Sequence, residues 1–401
     1  MPLGLYISVP FCRTKCTYCN FASDVFSRAV FDRYVDRVCE DIHTTPQLAR
    51  QMGGLLESDA DSIYLGGGTP TVLDSQQLQR LFVTMKQNFR LLPDAEITVE
   101  CAPGTLSPEL VDTLLNCGVN RVSLGVQSFV DQEAASVGRL HKRATVLDDF
   151  ARLRHAGIGN INVDLIAGLP HQTVATWQDS VHSAIDLGVP HVSVYMLEID
   201  DDSRLGRELI AGGTRYHAHF VPDEELTADL YEMAGAKLNA AGVVQYEISN
   251  FARDGWQSRH NLKYWTRQPY LGFGVDAHSM LRSANGQYEA IRFSTPDLLD
   301  QYMANAPLSQ TEISRQAALE ENFFLGLRLN SGVDLNEVRR RFGQSAVEAT
   351  SPSIAELKEA GLLERDGGRI CLTSRGRLLS NEVFARFLGQ ELPAKTGSLT
   401  T

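Results

Sequence analysis

Residues 11–21 read Phe-Cys-Arg-Thr-Lys-Cys-Thr-Tyr-Cys-Asn-Phe, and three of the chain's seven cysteines lie in this stretch, at Cys12, Cys16 and Cys19. The stretch directly follows a β-branched run at about residues 3–9. Thiolates are soft ligands that suit zinc or iron–sulfur clusters. A structural zinc site needs four protein ligands, and no second cysteine or histidine pair accompanies these three. We therefore expect the thiolates to hold three irons of a [4Fe–4S] cluster and to leave one iron open. Structural zinc and plain loop cysteines are the alternatives.

Composition limits the class of protein. The chain has 401 residues, of which 43% are hydrophobic and 21% are charged, and this mix is typical of a globular protein and not of a disordered or fibrous one. No apolar run reaches the roughly 20 residues that span a bilayer, so any membrane contact would be peripheral. The first residues lack the basic and apolar regions of a secretion signal, which predicts a cytoplasmic protein. The net charge of −12 disfavours nucleic-acid binding.

Strand-like and helix-like segments alternate through the first half of the chain. Short β-branched runs lie at about 3–9, 62–65, 96–100, 120–126, 160–166 and 191–197. Segments with helical periodicity lie at about 28–44, 75–89, 107–117, 144–156 and 174–187, and Ser75, Ser107 and Thr173 are the expected N-caps of three of them. The alternation predicts an α/β fold with a parallel sheet. Six such units favour a partial (β/α)6 barrel of the TIM type, and a flat doubly wound sheet is the competing layout.

The predicted strands alternate polar and apolar residues, as in Thr98 and Glu100 against Ile97 and Val99. Successive side chains on a strand point to opposite faces of the sheet. If the apolar face packs on the helices, the polar face lines the inside of the barrel. A closed eight-stranded barrel fills its interior with apolar side chains, so this pattern predicts a ligand-holding interior. A sheet with one solvated face is the alternative.

The remaining chain divides into less regular parts. We predict a barrel domain at 1–235, a connecting region at 236–310, a smaller domain at 311–392 and a frayed tail at 393–401. The connecting region contains an irregular stretch, 246–283, that is rich in aromatic residues and histidines. The smaller domain shows three helical patterns and a hairpin at about 363–372, which together predict a winged-helix-like α+β fold. Its basic and acidic residues are balanced, so we do not expect it to bind DNA.

The cysteine trio, followed by Gly66-Gly67-Gly68-Thr69-Pro70 after the second strand, resembles the radical S-adenosylmethionine (SAM) superfamily. The resemblance implies that the open iron of the cluster chelates SAM, and that an electron from the cluster cleaves SAM to a 5′-deoxyadenosyl radical. It also implies which residues position SAM or line the nucleoside side of the site. These are Tyr6, Tyr18, Gly67, Gly68, Thr69, Glu100, Gln127, Arg139 and Asp164.

Other segments, among them 125–129, 164–170 and 272–274, resemble the oxygen-independent coproporphyrinogen III oxidase group. The oxidases have a fourth cysteine where this chain has Phe21. Phe21 and the stretch His260-Asn261-Leu262-Lys263-Tyr264-Trp265 instead resemble the HemW branch, which is described as haem chaperones. Haem binding needs an apolar slot and an axial ligand. The candidate haem-site residues are His260, Asn261, Tyr264, Trp265 and His278.

The resemblance to this branch implies a haem chaperone that binds a [4Fe–4S] cluster, SAM and haem, and that delivers haem to a recipient protein. A reductant protein is a further expected partner. The alternative is an oxidoreductase of the coproporphyrinogen III dehydrogenase type, which would act through the adenosyl radical. A radical reaction on a tRNA or protein substrate is a weaker option, because the acidic charge disfavours nucleic acid.

Overall fold

Strands and helices alternate through the first 240 residues of the computed structural model, which describes residues 1–389. The predicted tail at 393–401 lies outside these residues. The strands are β1 (Leu3–Val9), β2 (Gly54–Leu55), β3 (Asp59–Gly67), β4 (Arg90–Cys101), β5 (Arg121–Gln127), β6 (Asn160–Ala167), β7 (His191–Met196), β8 (Val244–Gln245), β9 (Asn250–Ala252), β10 (Tyr270–Phe273), β11 (His278–Ser283), β12 (Ala290–Ser294), β13 (Ser309–Ile313), β14 (Val333–Asp334), β15 (Leu363–Asp366) and β16 (Arg369–Leu372).

The helices mostly cover the segments with apolar periodicity. They are α1 (Phe31–Met52), α2 (Ser75–Asn88), α3 (Pro108–Asn116), α4 (Asp131–Ser136), α5 (Arg143–His155), α6 (Val174–Asp186), α7 (Arg204–Ala211), α8 (Glu224–Ala240), α9 (Arg259–Trp265), α10 (Leu299–Met303), α11 (Arg315–Gly326), α12 (Leu335–Phe342), α13 (Gln344–Glu359), α14 (Ser374–Leu378) and α15 (Ser380–Ala385). Ser107 and Thr173 cap α3 and α6 as predicted. Ser75 does not cap α2, because the carboxylate of Asp74, one residue earlier, accepts from the Gln77 amide.

Six parallel strands pair in the order β1-β3-β4-β5-β6-β7, which is also their order along the chain. A doubly wound sheet would reverse its strand order at a switch point, so that alternative is wrong. The outer edge of β1 pairs with β10, and the outer edge of β7 pairs with β9. The two edges therefore do not close on each other, and the partial (β/α)6 barrel is confirmed.

The two faces of the sheet separate polar from apolar side chains as predicted. The apolar residues of the parallel strands, such as Val99 and Val163, are fully buried in one core with the helices. On the opposite face, Thr98, Ser123 and Asn162 are also buried, because the strands curve around them. The alternative of a solvated sheet face is therefore wrong. Instead, the interior side chains hydrogen-bond to one another across neighbouring strands.

The stretch 246–283 is more regular than its sequence predicted. It contains β9, α9, β10 and β11. The strands here have three to six residues, which is too short for a periodicity signal. β10 pairs with β1 and β9 pairs with β7, so this stretch flanks the six parallel strands on both sides.

The C-terminal part has a second hydrophobic core, which includes Phe323, Val338 and Ile370. β14, β16 and β15 form a three-stranded antiparallel sheet beside α11, α12 and α13, and the winged-helix-like α+β architecture is confirmed. The predicted boundary at 235/236 falls within α8 and that at 310/311 within β13, so neither falls in a linker. The division into domains stays a prediction.

Candidate cofactor site at the mouth of the barrel

The three cysteines lie in a loop that follows β1, at the end of the barrel where the parallel strands terminate. The loop closes on itself, because the Cys12 amide donates to the Asp24 carbonyl at 3.0 Å and the Asp24 amide donates to the Pro10 carbonyl at 2.9 Å. Its middle is tied to two neighbours: Thr17 donates to the Val137 carbonyl and accepts from the Leu205 amide. The backbone of the loop is thus held at both its ends and its centre.

The surroundings of the thiols suit thiolate ligands. Thr69 donates to Cys12 Sγ at 3.9 Å, and Ser23 lies 4.0 Å from Cys19 Sγ. Burial raises the pKa of Cys12 and of Cys16, and the Arg139 guanidinium opposes the rise at Cys16. Buried thiols of this kind become thiolates when a metal replaces their protons. The chemistry of these thiols therefore suits a soft metal centre with a nearby compensating charge, although no three Cys, His, Asp or Glu side chains among residues 1–389 are already arranged to hold a metal ion.

Lys15 hydrogen-bonds to two backbone carbonyls at the far end of the cysteine loop. Its ammonium donates to the Ser23 carbonyl at 2.7 Å and to the Phe21 carbonyl at 3.4 Å. Lys15 therefore holds the far end of the cysteine loop.

The glycine-rich segment after β3 packs directly against the cysteine loop. The amides of Gly68 and Thr69 donate to the carbonyls of Val9 and Phe11, each at 2.8 Å. A Cβ atom on Gly68 would lie 2.7 Å from the Phe11 carbonyl oxygen and 2.9 Å from Cys12 Sγ. Gly67 has a φ of +104°, a backbone conformation that favours glycine. The glycines are therefore needed for this close approach.

Glu100, near the end of β4, is held beside the same glycines. Its carboxylate accepts from the Tyr64 hydroxyl at 2.8 Å and from the Gly67 amide at 3.2 Å. Burial raises the pKa of Glu100 to about 7, the Tyr64 hydrogen bond opposes the rise, and Asp164 adds to it. Glu100 thus titrates near neutral pH, at the point where two strands and the glycine-rich segment meet.

Gln127 and Arg139 lie near each other, beside Tyr18 of the cysteine loop. Gln127 ends β5 with a φ of +67°, next to a register shift between β5 and β6. Its amide lies close to the guanidinium of Arg139, because both would contact a Cβ atom on Gly125. Arg139 donates to the Tyr18 hydroxyl at 3.2 Å. The structure therefore brings together three of the residues that the sequence predicted for SAM.

Asp164, on β6, belongs to the interior hydrogen-bond network of the barrel. Its carboxylate accepts from the Asn162 amide at 2.7 Å and from the Ser123 hydroxyl at 3.3 Å. Burial raises the pKa of Asp164, whereas hydrogen bonds from Ser193 and Asn162 and the charge of Arg121 lower it. Asp164 and Glu100 are therefore two partly buried carboxyls that influence each other across the barrel.

A cavity of about 300 Å³ opens at this mouth. Its lining includes Tyr6 and Gly67, predicted for SAM, and Tyr264 and His278, predicted for haem. Phe21, which is 64% exposed, also lines it. Sequence reasoning missed three further lining residues, Ser8, Ala22 and Asp276. Ser8 shares the inward alternation of β1 with Tyr6, whereas Asp276 lies in a loop that carries no pattern.

The two candidate histidines differ sharply. His260 is 1% exposed, and its ring nitrogens contact Ser62 Oγ at 3.1 Å and the Tyr264 hydroxyl at 2.8 Å. Both nitrogens of His260 therefore already have protein partners. His278 has a side chain that is 59% exposed, and its Nε2 lies 3.7 Å from the Asp276 carboxylate. His278 thus has a ring that an incoming ligand can reach.

Asn261 and Trp265 do not line the cavity. The Asn261 amide is capped by Ser258, at the start of α9. The Trp265 ring lies under the Arg328 guanidinium at 4.2 Å, toward the C-terminal part. Of the four candidates in α9, Tyr264 alone reaches the cavity. Among residues 1–389, no helix is long and apolar enough to cross a membrane.

Comparisons with known proteins agree with this geometry. Residues 6–184 match the family model of the radical SAM superfamily, and residues 313–379 match that of the HemN C-terminal domain. A protein of Bacillus subtilis named heme chaperone HemW is 35% identical over 388 residues, which cover 96% of this chain and 99% of the relative. A Mycobacterium tuberculosis protein of the same name is 32% identical and covers 97% and 95%.

The solved structure of coproporphyrinogen III oxidase (HemN) from Escherichia coli has a similar fold. Its TM-score is 0.81, and the match covers 96% of this chain and 90% of the oxidase at 24% identity. At this identity the match supports the fold alone, whereas the curated relatives support the family. The chain therefore belongs to the HemW family of the radical SAM superfamily.

Proposed function

We propose that this protein is a haem chaperone on a radical SAM scaffold, which binds haem and passes it to a recipient protein. The observation that carries the proposal is similarity, over nearly the whole chain, to relatives named heme chaperones. Phe21 agrees with it, because an aromatic ring stands in the cavity wall at the position of the oxidases' fourth cysteine. We expect the protein to work in the cytoplasm, as its sequence predicts.

The cofactor side of the proposal rests on the cysteine loop and its neighbours. Cys12, Cys16 and Cys19 would hold a [4Fe–4S] cluster, whose chemistry when bound is one-electron transfer and chelation of SAM through the open iron. The glycine-rich segment and Glu100 would position the polar groups of SAM. Arg139 would hold the nucleoside side in place, because its guanidinium is already oriented by the Tyr18 hydroxyl.

For haem, we infer that His278 is the axial ligand and that Tyr264 and Phe21 supply the apolar contact. His278 is exposed at the cavity, whereas both ring nitrogens of His260 are engaged. Imidazole, phenol and thioether groups are the usual protein ligands of haem iron. In this proposal His260 has a positioning role, because its hydrogen bond orients the Tyr264 ring that faces the cavity.

An anaerobic haem titration tests the proposal. The cluster-loaded protein should bind one haem per chain, so its Soret absorbance should saturate during the titration. When a haem-accepting apoprotein is then added, the haem should transfer to that protein. His278→Ala should weaken haem binding at least tenfold, whereas His155→Ala, at the exposed end of α5, should not change it. A linear titration without saturation would reject the chaperone function, and saturation unchanged in His278→Ala would reject His278 as the ligand.

A radical oxidase is the second candidate, and the retained SAM residues favour it. Glu100, Arg139 and Asp164 keep a hydrogen-bonded arrangement that a protein binding haem alone would not need. Incubation with reductant, SAM and coproporphyrinogen III would then yield protoporphyrinogen. The amount of 5′-deoxyadenosine would rise in proportion to the amount of protoporphyrinogen. A reductant protein would be the partner in either function. If deoxyadenosine forms without porphyrin conversion, the oxidase function is rejected.

A further inference from the structure

Three histidines lie together outside the site described above. His171 belongs to the loop after β6, and His217 and His219 belong to the segment between α7 and α8. Nε2 of His171 lies 3.3 Å from Nδ1 of His217. The rings of His171 and His219 each contact the ring of Phe220, with centroids 4.1 Å apart in both cases. Two connections that are far apart in sequence are thus joined by imidazoles at the rim of the barrel.

The backbone at this contact has an uncommon conformation. His171 and His217 have φ values of +68° and +62°, in the left-handed region that few residues other than glycine adopt. Hydrogen bonds hold both residues there, because the His171 amide donates to the Phe220 carbonyl at 3.0 Å and the Phe220 amide donates to the His217 carbonyl at 2.9 Å. Unfavourable backbone conformations tend to persist where function requires them.

The distance between the two ring nitrogens matches metal coordination. In a tetrahedral zinc site with Zn–N bonds of about 2.0–2.1 Å, two nitrogen ligands lie about 3.3–3.4 Å apart. We propose that His171 and His217 bind a divalent first-row transition metal ion, such as Zn²⁺, as two adjacent ligands. Metal entry would replace the present hydrogen bond between the rings. The ring proton that is now shared would move to the outer nitrogen of its own imidazole, so both ligands stay neutral.

The chemistry of the neighbourhood favours this ion over haem iron. Axial ligands of a haem lie on opposite faces of the macrocycle, whereas these two nitrogens lie side by side. Imidazole is also a good ligand for zinc, copper and nickel. Burial and the nearby His217 and His219 lower the pKa of His171, so its ring is neutral at neutral pH and its lone pair is available. Water would complete the coordination, because no group of three or more His, Cys, Asp or Glu side chains among residues 1–389 is arranged to hold a metal ion.

Metal binding would fasten the segment between α7 and α8 to the loop after β6. The two elements already share the hydrogen bond from His171 to Phe220. A ligand that binds the folded chain alone raises its thermal stability by mass action. The expected consequence is therefore a metal-dependent increase in melting temperature that depends on both histidines.

Calorimetric titration of tag-free, cluster-loaded protein with Zn²⁺ under anaerobic conditions tests the proposal, because the cluster keeps the three thiolates from binding zinc. Asn tolerates left-handed backbone, so His171→Asn and His217→Asn should fold normally. Each should weaken zinc binding at least tenfold and abolish the increase in melting temperature. His155→Asn, a matched exposed histidine, should behave like the wild type. Equal binding by all four proteins, or no wild-type binding up to about 100 µM zinc, would overturn the proposal.

Discussion

Tyr64 donates a hydrogen bond of 2.8 Å to the carboxylate of Glu100, and both side chains lie inside the barrel. The other carboxylate oxygen of Glu100 accepts from the Gly67 amide. One carboxyl group therefore joins two strands to the segment that packs on Cys12. Because it is partly buried near Asp164, its ionisation costs more than that of an exposed glutamate.

This position predicts a pH dependence of SAM binding. The pKa of Glu100 is raised to about 7, so the carboxylate form dominates above that pH and the neutral form below it. A carboxylate accepts hydrogen bonds from SAM more strongly than a neutral acid does. SAM affinity should therefore rise as the pH increases through about 7. Equilibrium dialysis from acid to alkaline pH measures it, and the profile of Glu100→Gln should be flat. A wild-type profile without this rise would contradict the assignment.

The close packing of Gly68 predicts a cluster defect from a single methyl group. In Gly68→Ala the new Cβ atom would clash with the Phe11 carbonyl and with Cys12 Sγ, and the cysteine loop would have to move. Overpacking of this kind costs about 1–3 kcal/mol. Iron content after reconstitution should fall by at least half. Gly159→Ala is the control, because a Cβ atom at Gly159 would meet open space. Equal iron contents in the two variants would show that the contact is not needed.

His260 predicts an effect on stability at acidic pH. Burial, and then the charge of Lys263, lower its pKa from 6.5 to about 3. The unfolded chain therefore takes up a proton below pH 6.5 that the folded chain does not. The stabilisation from a neutral His260 is complete above pH 6.5 and is lost as the pH falls toward 3. At pH 5 the loss from this residue is about 2 kcal/mol.

Urea unfolding at pH 7 and pH 5 measures this effect. The free energy of unfolding should fall more steeply between the two pH values for the wild type than for His260→Gln. Other buried groups titrate in both proteins, so the difference between the two slopes isolates His260. Parallel slopes would mean that His260 is solvated or charged in the folded chain.

A buried ion triad of Glu321, Arg267 and Arg292 predicts how strongly the C-terminal part is attached to the rest of the chain. Glu321 on α11 accepts from Arg267 at 2.7 Å and from Arg292 at 2.8 Å, and the side chains of Glu321 and Arg267 are 5% and 4% exposed. Removing one member of a buried ion pair costs about 3–5 kcal/mol, because a charge is left without its partner. Glu321→Gln should therefore lower the melting temperature, whereas Glu359→Gln, at an exposed position, should leave it unchanged. Equal melting temperatures would contradict this role.

Much of the fold could be predicted from local patterns. The parallel strands were predictable because apolar and polar residues alternate along them. This alternation places the apolar side chains on one face of the sheet and the polar side chains on the other. The short strands β9 and β10 were not predictable, because their pairing with β7 and β1 depends on tertiary contacts and not on periodicity. The helical pattern at 353–360 misses the first nine residues of α13, because Pro352 within the helix interrupts the pattern.

The residues of the candidate site also divide into those that could be predicted from the sequence and those that could not. The Cys12–Cys19 stretch and the glycine-rich segment could be recognised because their residue types and spacing are specific to one chemistry. The sequence could not distinguish the two candidate histidines, because the partners of His260 come from β3 and α9. Nor could it predict the contact between His171 and His217, which lie 46 residues apart and meet only in the folded chain.

Iron content per chain after anaerobic reconstitution tests the central claim most directly. The wild type and Cys117→Ser, a buried cysteine far from the loop in sequence, should each hold about four irons, with the absorbance of a [4Fe–4S] cluster. Cys12→Ser, Cys16→Ser and Cys19→Ser should each lose most of this iron while they remain folded. Full iron content in these three variants, or a wild type that binds no cluster, would contradict the account.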